Sequence, residues 1–170
     1  MGELDQWRQC PRCAADIDVE AGKAECPECG FRACASSKPT ASAVCVDEEG
    51  RLLLSRRAVD PFKGMWDFPG GFLEEEEHPL EGIRRELLEE AGVEVEPLEF
   101  LGVWLDRYGS DGSAQTTINL YWTTRIVEGT PEPADDVAEL RWFAPDEIPD
   151  EELAFPHTRD VISAWRDENA

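Results

Sequence analysis

The chain has 170 residues, 41% hydrophobic and 32% charged, which is room for one ordinary domain with a small appendage and enough apolar side chains for a core. Its 38 Asp and Glu against 16 Lys and Arg leave a formal charge of -22, which argues against a protein built to hold nucleic acid or an anionic membrane. No apolar run reaches the ~18–20 residues that span a bilayer, and Met1-Gly2-Glu3-Leu4-Asp5 has neither the basic start nor the apolar stretch of a secretory leader, so the expected compartment is the cytoplasm.

Only Lys23, Lys38 and Lys63 are lysines; the other basic residues are arginine. An acidic, lysine-poor surface keeps a protein soluble at high salt, so adaptation to salt is one expectation from composition, with compositional drift as its alternative.

The first 33 residues carry Cys10-Pro-Arg-Cys13 and Cys26-Pro-Glu-Cys29, two CxxC pairs twelve residues apart. In a reducing compartment such pairs read as a structural zinc site before they read as disulfides. Four thiolates at ~2.3 Å satisfy tetrahedral zinc, and each CxxC turn presents two sulfurs to one ion. The closing Cys26-Pro-Glu-Cys29-Gly30-Phe31 resembles a zinc-ribbon knuckle. A segment this short has no core of its own, so the metal would supply its folding energy. Cys34 and Cys45 stand outside the pattern, Cys45 as a small hydrophobe in Ala43-Val44-Cys45-Val46. Residues 1–33 are therefore expected to be a zinc ribbon, 34–40 a linker, and 41–170 the main domain.

In the main domain, Val44-Cys45-Val46 and Leu52-Leu53-Leu54 flank Asp47-Glu48-Glu49-Gly50 as a β-hairpin. Residues 65–68 read as a short strand ending at Pro69-Gly70-Gly71. Pro79 to Ala91 reads as a helix, with Pro where one can start and Gly92 where one can stop. Strands are expected over Val93–Val95, Phe100–Leu105, Thr116–Arg125 and Leu140–Phe143. A helical turn is expected at 145–148, and a terminal helix over Thr158–Asp167 with Val161, Ile162 and Trp165 on one face. The strand spacing is not that of regular βαβ units, so the fold expected is a mixed α/β one rather than a doubly wound parallel sheet.

The Pro79–Ala91 helix carries the chemistry. At ~100° per residue, Leu80, Ile83, Leu87 and Ala91 share a stripe that should face the core. Glu86, Glu89 and Glu90 fall in a neighbouring arc toward the C-terminal end, where like charges repel and the helix dipole disfavours them. Such a cluster is either solvated or shares a cation. Hard divalent ions such as magnesium take oxygen ligands and suit it. The tandem glycines upstream allow a backbone carbonyl to turn into the same site.

Written out, the pattern is Gly71, five residues, Glu77, seven residues, Arg85-Glu86-Leu87, one residue, Glu89-Glu90, one residue, Gly92-Val93. It resembles the motif of the Nudix hydrolases at every defining position, and the lead-in Gly64-Met65-Trp66-Asp67-Phe68-Pro69-Gly70-Gly71 and the downstream Asp135-Asp136-Val137-Ala138-Glu139-Leu140-Arg141-Trp142-Phe143 are similar to that family too. The resemblance implies a mixed sheet between helices, and hydrolysis of a nucleoside diphosphate linked to another group, with magnesium or manganese polarising the phosphate. It implies Glu86, Glu89, Glu90 and the Gly71 carbonyl as metal ligands, Arg85 as the side chain orienting the glutamates, and Glu77 as support. The general base outside the motif varies; Glu139, Asp136 and Asp135 are the candidates, in that order.

Arg56, Arg57 and Arg107 are candidate phosphate contacts. Phe62, Trp104, Tyr108 and Phe155 are candidate base-stacking residues, each weighed against ordinary packing. His78 and His157 read as surface or packing residues, and Trp66, Trp142 and Trp165 as core. A ribbon ahead of this motif is the layout of the bacterial NADH pyrophosphatases, but the Ser-Gln-Pro-Trp-Pro-Phe-Pro stretch of that family is missing. ADP-ribose or NADH is the favoured type of substrate. The alternatives are a nucleoside triphosphate pyrophosphohydrolase, or a non-catalytic nucleotide sensor whose ribbon docks a protein. A homodimer is an assembly compatible with this reading; nucleic-acid and membrane partners are not expected.

Overall fold

The computed structural model describes residues 4–109 and 115–169, of Glu168 the backbone alone. It divides into two compact units, one of residues up to Ser37 together with Arg107–Thr116, the other of Lys38–Asp106 and Thr117 onward.

In the first unit, β1 (Asp18–Glu20), β2 (Lys23–Glu25) and β3 (Arg32–Cys34) form an antiparallel sheet in that order. Ala21 and Gly22 join β1 to β2 with φ of 50° and 75°, the two positive values that a two-residue hairpin requires. The two CxxC segments repeat one backbone design. The amide of Ala14 donates to the Cys10 carbonyl at 2.8 Å, and that of Gly30 to the Cys26 carbonyl at 3.0 Å. Both donors have positive φ, 60° and 68°. Leu4, Cys10, Ile17, Ala24 and Cys26 make up the buried apolar set, with Trp7 and Phe31 packed on it. That is a small core, and a unit of this size needs a cross-link or a metal to stay folded.

The second unit begins with β4 (Lys38–Cys45), so only residues 35–37 separate it from β3, and Lys38, Pro39 and Thr40, expected in a linker, are already strand. There follow β5 (Leu52–Arg57), β6 (Trp66–Asp67), β7 (Gly70–Phe72), α1 (Pro79–Ala91), β8 (Glu94–Tyr108), β9 (Gln115–Glu128), β10 (Val137–Phe143), a single 3₁₀ turn (Asp150–Glu152) and α2 (Pro156–Glu168). One sheet has the order β7-β4-β9-β8, with β4 parallel to β9 and antiparallel to β7. The other, β10-β5-β6, is antiparallel. The expected hairpin survives as the Asp47–Arg51 turn and one bridge, Val46 to Leu52. Beyond it β4 and β5 part into different sheets.

Side-chain alternation builds two cores. Ala41, Ala43, Cys45 and Leu53 join Ile83, Leu87 and Ala91 of α1. Val44, Leu52, Leu54, Trp66, Phe68 and Tyr121 join Val161, Ile162 and Trp165 of α2. Alanine at 41 and 43 leaves room for α1 to lie close on β4, and α1 packs on β7 as well. The helix is well terminated. His78 Nδ1 accepts from the Leu80 amide at 3.2 Å, Pro79 fills the first position, and Gly92 at φ 66° turns its amide back to the carbonyls of Leu87 and Leu88. α1 thus carries its glutamates at a fixed height over the Gly70–Gly71 end of β7.

Candidate active site

Arg85 leaves the middle of α1 and meets three carboxylates. Its Nε and Nη2 clasp both oxygens of Glu77 at 2.8 and 2.9 Å. Its Nη1 reaches Glu86 at 2.8 Å and Glu89 at 3.1 Å, while Nη2 also donates to the Phe72 carbonyl at 3.1 Å. A planar guanidinium suits this fork, and the bidentate clasp holds the Glu77 carboxyl down at about 2, helped by the Glu74 amide. The same partners raise the guanidinium's own affinity for its proton. Glu77 bridges the loop after β7 to the helix and ties that end of the site together.

Glu90 lies on the inner side of α1 and is 7% exposed. Its Oε2 accepts from the Gly70 amide at 3.0 Å. Burial pushes its carboxyl up to about 9, against the pull of that amide, and the charges of Glu86, Asp136 and Asp67 add to the rise. Glu86 is raised too, first by burial, with Arg85 opposing and Glu89 and Asp136 adding. Two carboxylates, Glu90 buried and Glu86 half-buried, face further negative charge, an arrangement that suits a cation. Hard oxygen donors of this kind fit magnesium or manganese. Gly71 explains how Glu86 comes so close to β7: a Cβ at that position would stand 2.4 Å from Glu86 Oε1. Glu89 is exposed at the rim.

Asp136 is one of the three candidate acids outside the motif. Its charge acts on both Glu86 and Glu90. The loop before it is tied to the end of α1 by the Ala134 amide on the Glu90 carbonyl at 2.9 Å and the Glu132 amide on the Ala91 carbonyl at 3.0 Å. Glu139, ranked first from sequence, instead pairs with Arg56 at 3.5 Å and Arg141 at 2.5 Å. The reason is register: Glu139 sits opposite Arg56 within the β10-β5 ladder, three residues beyond the loop that meets α1. Asp135 is exposed at positive φ, 51°, where the chain turns to deliver Asp136.

The other candidates are distributed as follows. The Ala58 amide donates to the Asp136 carbonyl at 2.7 Å, and Arg57 sits opposite Val137 in the β10-β5 ladder. Arg57 donates to the Pro61 carbonyl at 2.7 Å and lies 5.7 Å over the Phe155 ring, and Phe155 packs edge-on against Phe62 at 5.1 Å. Arg56 donates to the Gly64 carbonyl at 2.8 Å and covers Trp66. Trp104 packs on Tyr121. Tyr108 and Arg107 belong to the first unit.

A buried network escaped the sequence reading. His157, in the first turn of α2, bonds Tyr121 Oη through Nε2 at 2.9 Å and Asp106 through Nδ1 at 2.7 Å. Asp67 accepts from the Phe68 amide at 2.9 Å and the Thr158 hydroxyl at 3.0 Å, and its carboxyl is raised, first by burial. These residues are up to 91 positions apart, and no local spacing announces them. The one available signal was Asp67 inside the glycine lead-in.

The first unit offers a second donor set. The sulfurs of Cys10, Cys13, Cys26 and Cys29 all lie within 4.8 Å of one another, with Cys10–Cys29 and Cys13–Cys26 each at 3.6 Å. A tetrahedron of ~2.3 Å bonds has edges of about 3.8 Å, so this cage has the size of a zinc site. Cys34 is exposed and Cys45 is buried against Thr124 at 2.9 Å.

Comparison with known proteins identifies the family and the fold. The NUDIX domain family model matches residues 36–165. A MutT-like protein of Streptomyces ambofaciens is 34% identical over 63% of this chain and 64% of its own length. An ADP-ribose pyrophosphatase of Methanocaldococcus jannaschii is 29% identical over 73% of this chain and 71% of its own. The NAD-capped RNA hydrolase NudC of Pseudomonas aeruginosa is 26% identical over 84% of this chain but only 49% of its own. The chain therefore spans between half and about seven tenths of these relatives. A NUDIX hydrolase structure from Nitrosomonas europaea superimposes with a TM-score of 0.78 at 26% identity, covering 95% of this chain and 92% of that one. No helix among the described residues is long and apolar enough to cross a membrane. With the motif, the fold and the family model in agreement, the chain belongs to the Nudix family.

Proposed function

We propose that the chain is a magnesium- or manganese-dependent pyrophosphohydrolase that cleaves a nucleoside diphosphate linked to another group, of the ADP-ribose or NADH type. The observation that carries this reading is the position of Glu90: buried, anchored on the Gly70 amide, and facing the charges of Glu86 and Asp136. Glu86, Glu89, Glu90 and the Gly71 carbonyl would hold the metal, which supplies a Lewis acid for the phosphate oxygens and lowers the pKa of an attacking water. Arg85 and Glu77 keep the ligating carboxylates in place. Asp136 takes the proton of the water as its oxygen bonds to one phosphorus and the bridging P–O bond breaks. Arg57, Phe62 and Phe155 are the side chains assigned to the substrate. A guanidinium can meet phosphate, and the aromatic faces can stack a base.

The names of the relatives that act on ADP-ribose and on NAD-capped RNA support the choice of substrate type. Zinc on the four cysteines would be structural, because all four positions of its tetrahedron are filled by sulfur. The test is hydrolysis of a nucleotide panel with and without magnesium, with Glu90→Gln as control. Tight nucleotide binding without turnover would favour the sensor reading instead.

A further inference from the structure

α2 starts on a residue that helices disfavour there. Its N-cap is Phe155, which has no side-chain oxygen to accept from the first-turn amides, and no side-chain cap bond forms. The first turn is held instead by bonds outward to three strands of the larger unit. His157 Nδ1 meets Asp106 of β8 at 2.7 Å, and its Nε2 meets Tyr121 Oη of β9 at 2.9 Å. The next residue, Thr158, donates to Asp67 of β6 at 3.0 Å. The Ala154 amide donates to the Trp66 carbonyl at 2.8 Å and ties the approach to the helix to the same strand. With Asp106 accepting from Nδ1–H, the neutral ring presents Nε2 as acceptor to the Tyr121 hydroxyl, so each nitrogen has one role. His157 and Tyr121 are both buried, and a bond lost here strands a polar group away from water. Phe155 is the side chain this arrangement delivers. Its ring lies 5.7 Å from that of His157 and backs Phe62 edge-on at 5.1 Å and the Arg57 guanidinium at 5.7 Å. Phe62 itself stands at φ 63°, a costly conformation for a bulky residue. A Phe at an N-cap and a Phe at positive φ break two local rules in one cluster, and such breaks gather at functional sites.

We propose that His157 is a positioning residue for substrate binding: by joining Asp106 and Tyr121 it fixes the first turn of α2, and with it the Phe155 ring on which Phe62 and Arg57 are set. The inference rests on the assignment of Arg57, Phe62 and Phe155 to the substrate. Phe155 is buried, whereas Phe62 and Arg57 are half-buried. Phe155 is therefore the backing, and the other two form the surface that a nucleotide meets. The two carboxylates gathered by the first turn, Asp67 and Asp106, stand at the N-terminal end of the helix, where its dipole favours negative charge. They hold what a capping side chain would otherwise hold, and leave the N-cap position to an aromatic ring. Leucine at position 157 would keep much of the imidazole volume and neither of its bonds. The first turn would then lose its side-chain ties to β8 and β9, and Phe155 would shift behind Phe62 and Arg57. Such a shift loosens the grip on the nucleotide and leaves the chemistry at the glutamates as it was, so the loss falls on KM and not on kcat.

Steady-state hydrolysis of ADP-ribose with magnesium, and calorimetric binding of ADP-ribose to the same full-length proteins without metal, test the proposal. His157→Leu should raise KM and Kd roughly tenfold, the scale of a weakened stacking wall, with kcat within about twofold of wild type. His157→Asn and His157→Gln, each able to supply one of the two ring bonds, should recover part of the loss. Ile162→Ala, a cavity elsewhere in the α2 core, should lower Tm and leave KM and Kd unchanged, which is what a purely structural role would also give. A His157→Leu protein with wild-type KM and Kd, or with only kcat reduced, overturns the proposal. Wild-type protein that binds ADP-ribose without hydrolysing it removes the hydrolase reading, while the Kd comparison still decides the role of His157. Wild-type protein that neither binds nor hydrolyses ADP-ribose overturns the proposal together with the substrate assignment beneath it.

Discussion

Arg85 gathers Glu77, Glu86 and Glu89 into one network, so each of these side chains depends on the others. Glu77 gives the cleanest test because it braces the network without belonging to the assigned metal ligands. Its carboxyl is held at about 2, below the usual range for Glu, by the Arg85 hydrogen bonds. A depressed carboxylate stabilises the fold fully above its unfolded pKa, and that stability is lost as pH falls through the folded value. Glu77→Gln should therefore flatten the acid limb of the stability curve between roughly pH 4.5 and 2, and lower turnover about 10–100-fold as Arg85 loses its anchor. An acid limb identical to wild type would show that the clasp does not form in solution. At this scale the spacing of Arg85, Glu86, Glu89 and Glu90 was readable because one helix carries all four. The order Glu139, Asp136, Asp135 among the outer acids is one that spacing alone does not decide. Glu139 and Asp136 differ by three positions, and a turn through Asp135 at positive φ decides which of them faces α1. The His157–Asp106 pair depended on tertiary packing alone.

At the scale of elements, α1 was legible to the residue, because Pro79 and Gly92 mark its ends chemically. Gly92 sits at φ 66° with open space where a Cβ would go, so Gly92→Ala meets conformational strain and no clash. It should cost about 1 kcal/mol, or roughly 2–4 °C in Tm for a chain of this size. An unchanged Tm would mean that the αL turn is not what ends the helix. The strand now labelled β8 was read as two pieces because Pro97 and Gly102 interrupt its alternation; the structure runs one strand through both, at the edge of its sheet, where a missing amide is tolerated. α2 begins at Pro156, two residues before the expected start, since Pro there fits the first helical position. The division of strands between two sheets had no local signal. It follows from which face of β4 and β5 each core claims.

For the whole molecule, the sequence reading expected boundaries at 33 and 40, whereas strand begins at Lys38 and the small compact unit also takes in Arg107–Thr116, a segment that nothing in the composition sets apart. The small unit has too few buried apolar side chains to fold by burial alone, so its order should depend on metal. Metal analysis of reduced protein is expected to find one zinc per chain. Removal by a strong chelator should abolish amide protection over β1, β2 and β3, as should Cys13→Ser. Protection that persists in the metal-free chain would contradict the assignment.

The central claim is that the glutamate face of α1 performs metal-dependent pyrophosphate hydrolysis. Its most direct test is turnover of ADP-ribose, NADH, FAD, coenzyme A and the nucleoside triphosphates, with and without magnesium, by the wild type and Glu90→Gln. The account predicts magnesium-dependent hydrolysis of ADP-ribose or NADH ahead of the triphosphates, reduced roughly a thousandfold in the variant, about 4 kcal/mol of barrier. Near-wild-type turnover by Glu90→Gln, or no hydrolysis of any of these nucleotides, would contradict it.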